Sequence, residues 1–226
     1  MEPLFRRAQP SDCEGAVPLV YSSGPDVLDY CFRAGGRTAA DFLRYAFSDG
    51  RGFFGWRTHT AVVHGPRLVG VGAFYGGRDH ARLSRELVVQ VVRFYPLVAA
   101  LGVIRRTLQV RVIMPPPPRS THYAANLGVP PDLRGRGIGT VLLSHEAAAA
   151  HRVGRRTLAL DVTVNNPRAQ ALYERLGFAV TRYQESPCSP GGLPSSRRME
   201  RTLPVGPPMG DGAATAVPAL SVAATA

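Results

Sequence analysis

Three glycines within five residues, Gly135, Gly137 and Gly139, stand between Arg134 and a run of helix-forming residues that begins at Ile138 and Thr140. Glycine adopts backbone conformations closed to other residues and lets a ligand approach the main chain. A strand that delivers such a loop into a helix start leaves unpaired N–H groups beside the positive end of the helix dipole, which is a site for an anion. Arg134 and Arg136 add positive charge, so the chemistry implied is the holding of a phosphorylated cofactor. Downstream, the alternation in Thr157 to Val164 places Leu158, Leu160 and Val162 on one face and leaves Asp161 as the single acid among small residues on the other. Asn166 precedes Pro167 at a helix start, and the helical stripe that follows carries Tyr173.

The elements that must position these groups are a strand over Thr121 to Val129, a helix over Gly139 to Val153, a strand over Thr157 to Val164 and a helix from Pro167 to Leu176 closed by Gly177. Ahead of them lie a strand at Leu4 to Ala8 and a capping box of Ser11 and Glu14 that announces a helix toward Tyr21, short or kinked at Pro18. Helices over Pro25 to Arg33 and Thr38 to Phe47 follow. His59 to Val63 and Arg67 to Tyr75 then form a hairpin. Residues 81–120 hold two helices, one capped by Ser84 and running through Phe94, the other running from Pro96 toward Leu108, and then an extended Pro115 to Pro118 loop. That stretch contains Arg93, Arg105, Arg106, Arg111 and Arg119, with no acid between Glu86 and Asp132. It reads as a lid or a patch for an acidic partner, or as a solvated basic surface. Ala179 to Gln184 and Arg198 to Leu203 are the last strands, and 204–226, with Asp211 as its one charge, is expected to be a disordered tail.

The formal net charge of the 226-residue chain is +11, and all 27 of its basic residues are Arg. Charge of this sign attracts phosphates and acidic substrates, and a nucleic-acid partner is the weaker reading. Cys13, Cys31 and Cys188 fit neither a disulfide framework nor a metal-ligand spacing, so free thiols and no bound metal are expected. With no signal peptide and no membrane-spanning stretch, the protein is expected to be soluble and cytoplasmic. A nucleotide-hydrolysing loop requires Gly-Lys before Ser or Thr, and the absence of lysine removes it. The glycine spacing also fits a dinucleotide fingerprint poorly.

The order strand, Arg134 to Gly139, helix, strand, then Asn166 to Phe178 resembles the GNAT superfamily of N-acetyltransferases. Arg134, Gly137 and Gly139 match its loop pattern, and Asn166, Ala169, Leu172, Tyr173, Gly177 and Phe178 match its second signature. The likeness covers residues 121–184 well, 1–75 loosely and 81–120 not at all, and within 121–184 it looks most like the ribosomal-protein alanine N-acetyltransferases. It implies an α/β (α+β) fold with a mixed, mostly antiparallel central sheet of about six to seven strands flanked by helices, here with an extra helical insertion at 81–120 in one domain of 1–203.

That resemblance implies direct transfer of an acetyl group from acetyl-CoA to a primary amine of a peptide or small molecule, by a monomer or homodimer. It implies a pyrophosphate held by Arg134, Gly135, Arg136, Gly137, Ile138, Gly139 and Thr140, and a thioester and pantetheine arm along Leu127, Gly128 and Val129, with Asn166 and Tyr173 nearby. An oxyanion that develops during acyl transfer needs preorganised donors such as exposed N–H groups of this strand. Tyr173 corresponds to the acid that protonates the leaving thiolate. Asp161 stands where those relatives carry Glu, which makes it the candidate base with a bridging water for its shorter reach; His122 and Tyr123 stay open for that role. Structural readings compete: Tyr173 as a core aromatic, Asn166 as a helix cap, Asp161 as a surface charge. The rival function is a GNAT-like module that binds CoA as a regulatory signal and transfers nothing.

Overall fold

A computed structural model describes residues 3–187 and 192–204 of the chain. Among these residues seven strands, β1 (Leu4–Arg7), β2 (His59–His64), β3 (Arg67–Gly76), β4 (Thr121–Gly128), β5 (Thr157–Thr163), β6 (Ala179–Gln184) and β7 (Ser196–Thr202), form one sheet in the order β1-β2-β3-β4-β5-β7-β6. Every neighbouring pair is antiparallel except β4 and β5. This is the mostly antiparallel mixed sheet expected of the GNAT fold. Cys188 and all of the 204–226 tail beyond Pro204 lie outside the described residues.

Among the described residues, seven helices flank the sheet: α1 (Cys13–Ser22), α2 (Pro25–Phe32), α3 (Ala39–Asp49), α4 (His80–Phe94), α5 (Leu97–Ile113), α6 (Ile138–Arg152) and α7 (Pro167–Arg175). The alternation of the strands divides the core. On one face, Phe32, Phe42 and Phe47 pack with Ala61 and Val71. On the other, α6 and α7 pack Leu143, Ala147 and Tyr173 against Leu158, Leu160 and Val162.

The first helix begins differently from the Ser11 and Glu14 expectation. Asp12 accepts a fork from Arg6, both contacts at 2.7 Å, and also accepts the Gln9 N–H at 2.7 Å. Those bonds close a single 3-10 turn at Pro10–Asp12, and α1 starts one residue later with Pro18 inside it. The reciprocal cap occurs instead at Thr38 and Asp41, which open α3 before Gly50 ends it in the left-handed conformation (φ 79°).

α4 and α5 form a helical layer docked on α2 and α3. Buried Gln90 of α4 donates to Asp49 at 2.9 Å and to the Arg51 carbonyl at 3.0 Å, while Glu86 accepts the Gly52 N–H at 2.8 Å. Tyr95, between the two helices, donates to the Phe32 carbonyl at 2.6 Å. α5 extends to Ile113, five residues past Leu108, because no glycine or proline lies between Leu108 and Pro115. Among the described residues no helix is long and apolar enough to cross a membrane.

Candidate active site

β4 and β5 are in register only from Thr121 to Tyr123 against Thr157 to Ala159. Beyond those rungs the two parallel strands part. The cause is local: Asn126 takes a positive φ of 55°, and the β3–β4 register slips between Val71 and Ala73, so β4 bulges. Asn126 fixes the bulge by donating to the Phe53 carbonyl at 3.3 Å. The gap opens into a cavity of about 670 Å³ that is lined from Ala124 to Val129 on one side and from Leu160 to Thr163 on the other.

One end of the cavity is the glycine loop. Gly135 and Gly137 both have φ of 81°, and a Cβ on either would meet nothing within 4 Å, so the loop's conformation requires glycine while its surface stays open to a ligand. Gly137 is the residue that opens α6, and the neighbouring Ile138 is buried and anchors the loop to the core. Arg134 donates from Nε to the Val129 carbonyl at 3.2 Å, which ties the loop back to the end of β4. Gly139 sits against α7, where an added Cβ would lie 3.4 Å from Leu172. The donors of this helix start and the left-handed glycines fit a pyrophosphate.

Of the residues expected to hold the cofactor, Leu127, Gly128, Val129, Arg134, Gly135, Gly137, Ile138, Gly139, Thr140, Asn166 and Tyr173 all line this one cavity. Arg136 does not; it is exposed and lies close enough to Asp132 to help lower that carboxyl's pKa, after Arg67. The Asn166 carboxamide oxygen accepts the Ala169 N–H at 3.1 Å, so its side chain caps α7. Tyr173 is nearly buried beside Phe178, and burial pushes its phenol up to about 12, which keeps the proton available for donation.

Asp161 is in the cavity wall, but its carboxylate is engaged. Arg198 of β7 forks onto it with two bonds of 2.8 Å, Tyr123 donates to it at 2.5 Å, and the acid side chain is 1% exposed. A base needs a lone pair facing the amine, and here the protein occupies both oxygens. Burial opposes the charge on Arg198, yet its bonds to Asp161 outweigh that and raise its pKa. The same guanidinium also donates to the Pro115 carbonyl, joining the sheet to the loop that follows α5. The Tyr123 phenol is raised well above its usual value, by burial first and by the Asp161 charge second.

His122 points to the opposite face of the sheet from Tyr123. Its Nε2 lies 3.7 Å from Glu146 of α6, whose other oxygen accepts from Thr60 at 2.6 Å, and it does not line the cavity. His80 does line it, and sequence reasoning missed this residue. It is the first residue of α4, packed against Phe53 at 5.2 Å between ring centroids, with Tyr75 beyond. Burial, and then Arg111 and Arg198, lower its pKa, so the imidazole is neutral at neutral pH. The sequence signal lay in its position, where the long β3 strand turns directly into a helix beside the aromatic residues of β3 and β4.

A family model described as the acetyltransferase (GNAT) family matches residues 28–178, more than half of the chain. The chain belongs to that family. It is 50% identical over 50 residues to an uncharacterized N-acetyltransferase of Methanocaldococcus jannaschii, covering 22% of each chain. It is 45% identical over 53 residues to the ribosomal protein bS18-alanine N-acetyltransferase of Salmonella typhimurium, covering 24% of this chain and 36% of that one. The similarity thus spans about a fifth to a third of these relatives' own length. Among solved structures, an N-acetyltransferase from Staphylococcus aureus superposes with a TM-score of 0.68 at 17% identity, over 88% of this chain and all of that one. Another acetyltransferase gives 0.63 at 20% identity, over 89% of this chain and all of the other. These structures share the fold of this chain.

Proposed function

We propose that the protein transfers an acetyl group from acetyl-CoA directly to a primary amine. The observation that carries this reading is the single cavity in which the β4–β5 gap ends on the Gly135–Gly139 loop. Acetyl-CoA supplies a thioester whose carbonyl carbon accepts the amine. The loop and Arg134 hold its phosphates, and the free edge of β4 near Leu127 to Val129 carries the donors for the arm and for the charge that develops on the carbonyl oxygen.

The amine arrives with a proton to lose. His80, the one imidazole among the described residues of the cavity wall, takes it directly or through a water. The new C–N bond forms, the C–S bond breaks, and Tyr173 gives its proton to the sulfur. Asp161 is a positioning residue in this scheme: it orients Tyr123 and holds Arg198 in place. The thiols of Cys13 and Cys31, both free, support a reducing, cytoplasmic setting.

The test couples calorimetric titration of acetyl-CoA with product detection by mass spectrometry over a library of amines and peptides. Binding with transfer is expected. Binding with no product from any amine would favour the regulatory-module reading, and absence of binding would sink both. His80→Gln separates the candidate bases: kcat should fall and the rate should lose its decline below neutral pH, a decline that arises because a base acts only unprotonated. Retention of that acid limb with loss of rate in Asp161→Asn would return the role to the carboxylate.

A further inference from the structure

The acceptor end of the cavity is closed by the insertion, and its chemistry is one-sided. Leu28 and Phe32 of α2, Phe53, Leu87 of α4 and Ile104 of α5 make an aliphatic and aromatic wall. Asp161 is the only carboxylate among the described lining residues, and Arg198 and Tyr123 consume it. Arg111 of α5 also lines the space, and no acid lies between Glu86 and Asp132 to offset the positive charge of the insertion. At the mouth, Val88 (43% exposed) and Leu108 (54% exposed) belong both to the lining and to the surface, and exposed Val92 and Val112 continue the apolar track outward along the two helices.

A second ammonium group entering this chamber would give up its water and meet Arg111, with no free carboxylate in the described wall to offset that cost. An apolar body would lose only unfavourable contact with water. The same positive surroundings disfavour the ammonium form of the reacting amine itself, which eases the proton loss that must precede attack. From these features we infer that the acceptor is a monoamine on an apolar body, free of further positive charge, and not a polyamine or another polycation. The inference rests on the transfer reading above. Two sources present this chemistry, a small aryl- or alkylamine and the α-amine of a peptide that begins with apolar residues.

Initial rates of the 226-residue chain with acetyl-CoA decide the matter, using 2-phenylethylamine, hexylamine, a tetrapeptide with an apolar N-terminus, the same peptide with lysine at its second position, and spermidine. The apolar monoamines or the apolar peptide should exceed spermidine by about 100-fold in kcat/KM, a discrimination of the size that unmatched pocket chemistry produces. The ratio between the phenylethylamine and peptide arms identifies the source. In Arg111→Glu, a change at an exposed helix position, the preference over spermidine should narrow about 10-fold through the added carboxylate. Spermidine equal to or better than the monoamines, or a ratio untouched by Arg111→Glu, would overturn the acceptor class while leaving acetyl transfer standing. No product from any amine, with acetyl-CoA bound, would remove the transfer reading and this class with it.

Discussion

The two ends of the cavity are built by different means. At the cofactor end, backbone does the work: left-handed glycines, a helix start and the unpaired edge of a bulged strand, all within 121–175. At the acceptor end, side chains do it, and they come from α2, the loop after α3, α4, α5 and β7, spread across the chain from Leu28 to Arg198. A site made of backbone tolerates exchange of most neighbouring side chains but not of the residues that permit its φ angles. A site made of packed side chains has the reverse sensitivity. Variants that strike one end and spare the other therefore measure whether this division is real.

The largest effect is expected at the ion pair that joins the acceptor end to the sheet. Arg198→Leu leaves the Asp161 charge buried without its partner, a change that costs about 3–5 kcal/mol. Urea unfolding at pH 7 reads it directly, and a loss below about 1 kcal/mol would show that Asp161 finds water or protonates without strain. Tyr173→Phe comes next. It keeps the ring in its buried place beside Phe178 and removes only the proton donor, so kcat should fall ~10²-fold while acetyl-CoA affinity and stability change little. Equal losses in kcat and in affinity would mark Tyr173 as part of the packing rather than the acid.

A smaller effect follows from pH. His59 of β2, packed beside Phe47, is 1% exposed, with its Nδ1 on the Gly55 carbonyl at 2.9 Å. Burial depresses its pKa from 6.5 to about 4. The unfolded chain takes up a proton below its pKa of 6.5 that the folded chain refuses, so this histidine's contribution is full above that value and declines as pH falls toward 4. Between pH 7 and pH 5 stability should drop by about 2 kcal/mol from this group alone, and a His59→Gln variant should show a flatter profile over the same interval.

The same division governs what could be read from the sequence. The cofactor end was legible because glycine at a position needing positive φ, asparagine at a helix cap and alternation in β5 are local signals, each carried within a few residues. All but one of the residues assigned to it, Arg136, meet in one cavity. Asp161 was legible as an acid alone on its strand face, yet nothing near it in sequence showed that Arg198, 37 residues on, would fork onto it. His80 escaped for the same reason: its neighbours in space, Phe53 and Arg111, are far from it along the chain. The missed start of α1 was a local competition, in which the Arg6 fork made Asp12 a stronger turn-closing acceptor than Ser11.

The smallest predicted effect is also the one that separates loop geometry from ligand approach. Gly137→Ala forces a side chain into the left-handed region at the start of α6, at a cost of ~1 kcal/mol, so acetyl-CoA affinity should weaken about 5-fold as the loop relaxes away from its open form. Gly139 carries no such requirement: its backbone is helical, and an added Cβ would reach ordinary contact with Leu172 at 3.4 Å. If the loop acts through its conformation, Gly139→Ala weakens binding less than Gly137→Ala. If Gly139→Ala proves the more damaging of the two, the phosphates approach the helix at Gly139 closely enough to exclude a methyl group, and the glycine there serves the ligand and not the turn. Calorimetric titration of the two variants side by side gives the ranking, with thermal melts to show that both remain folded.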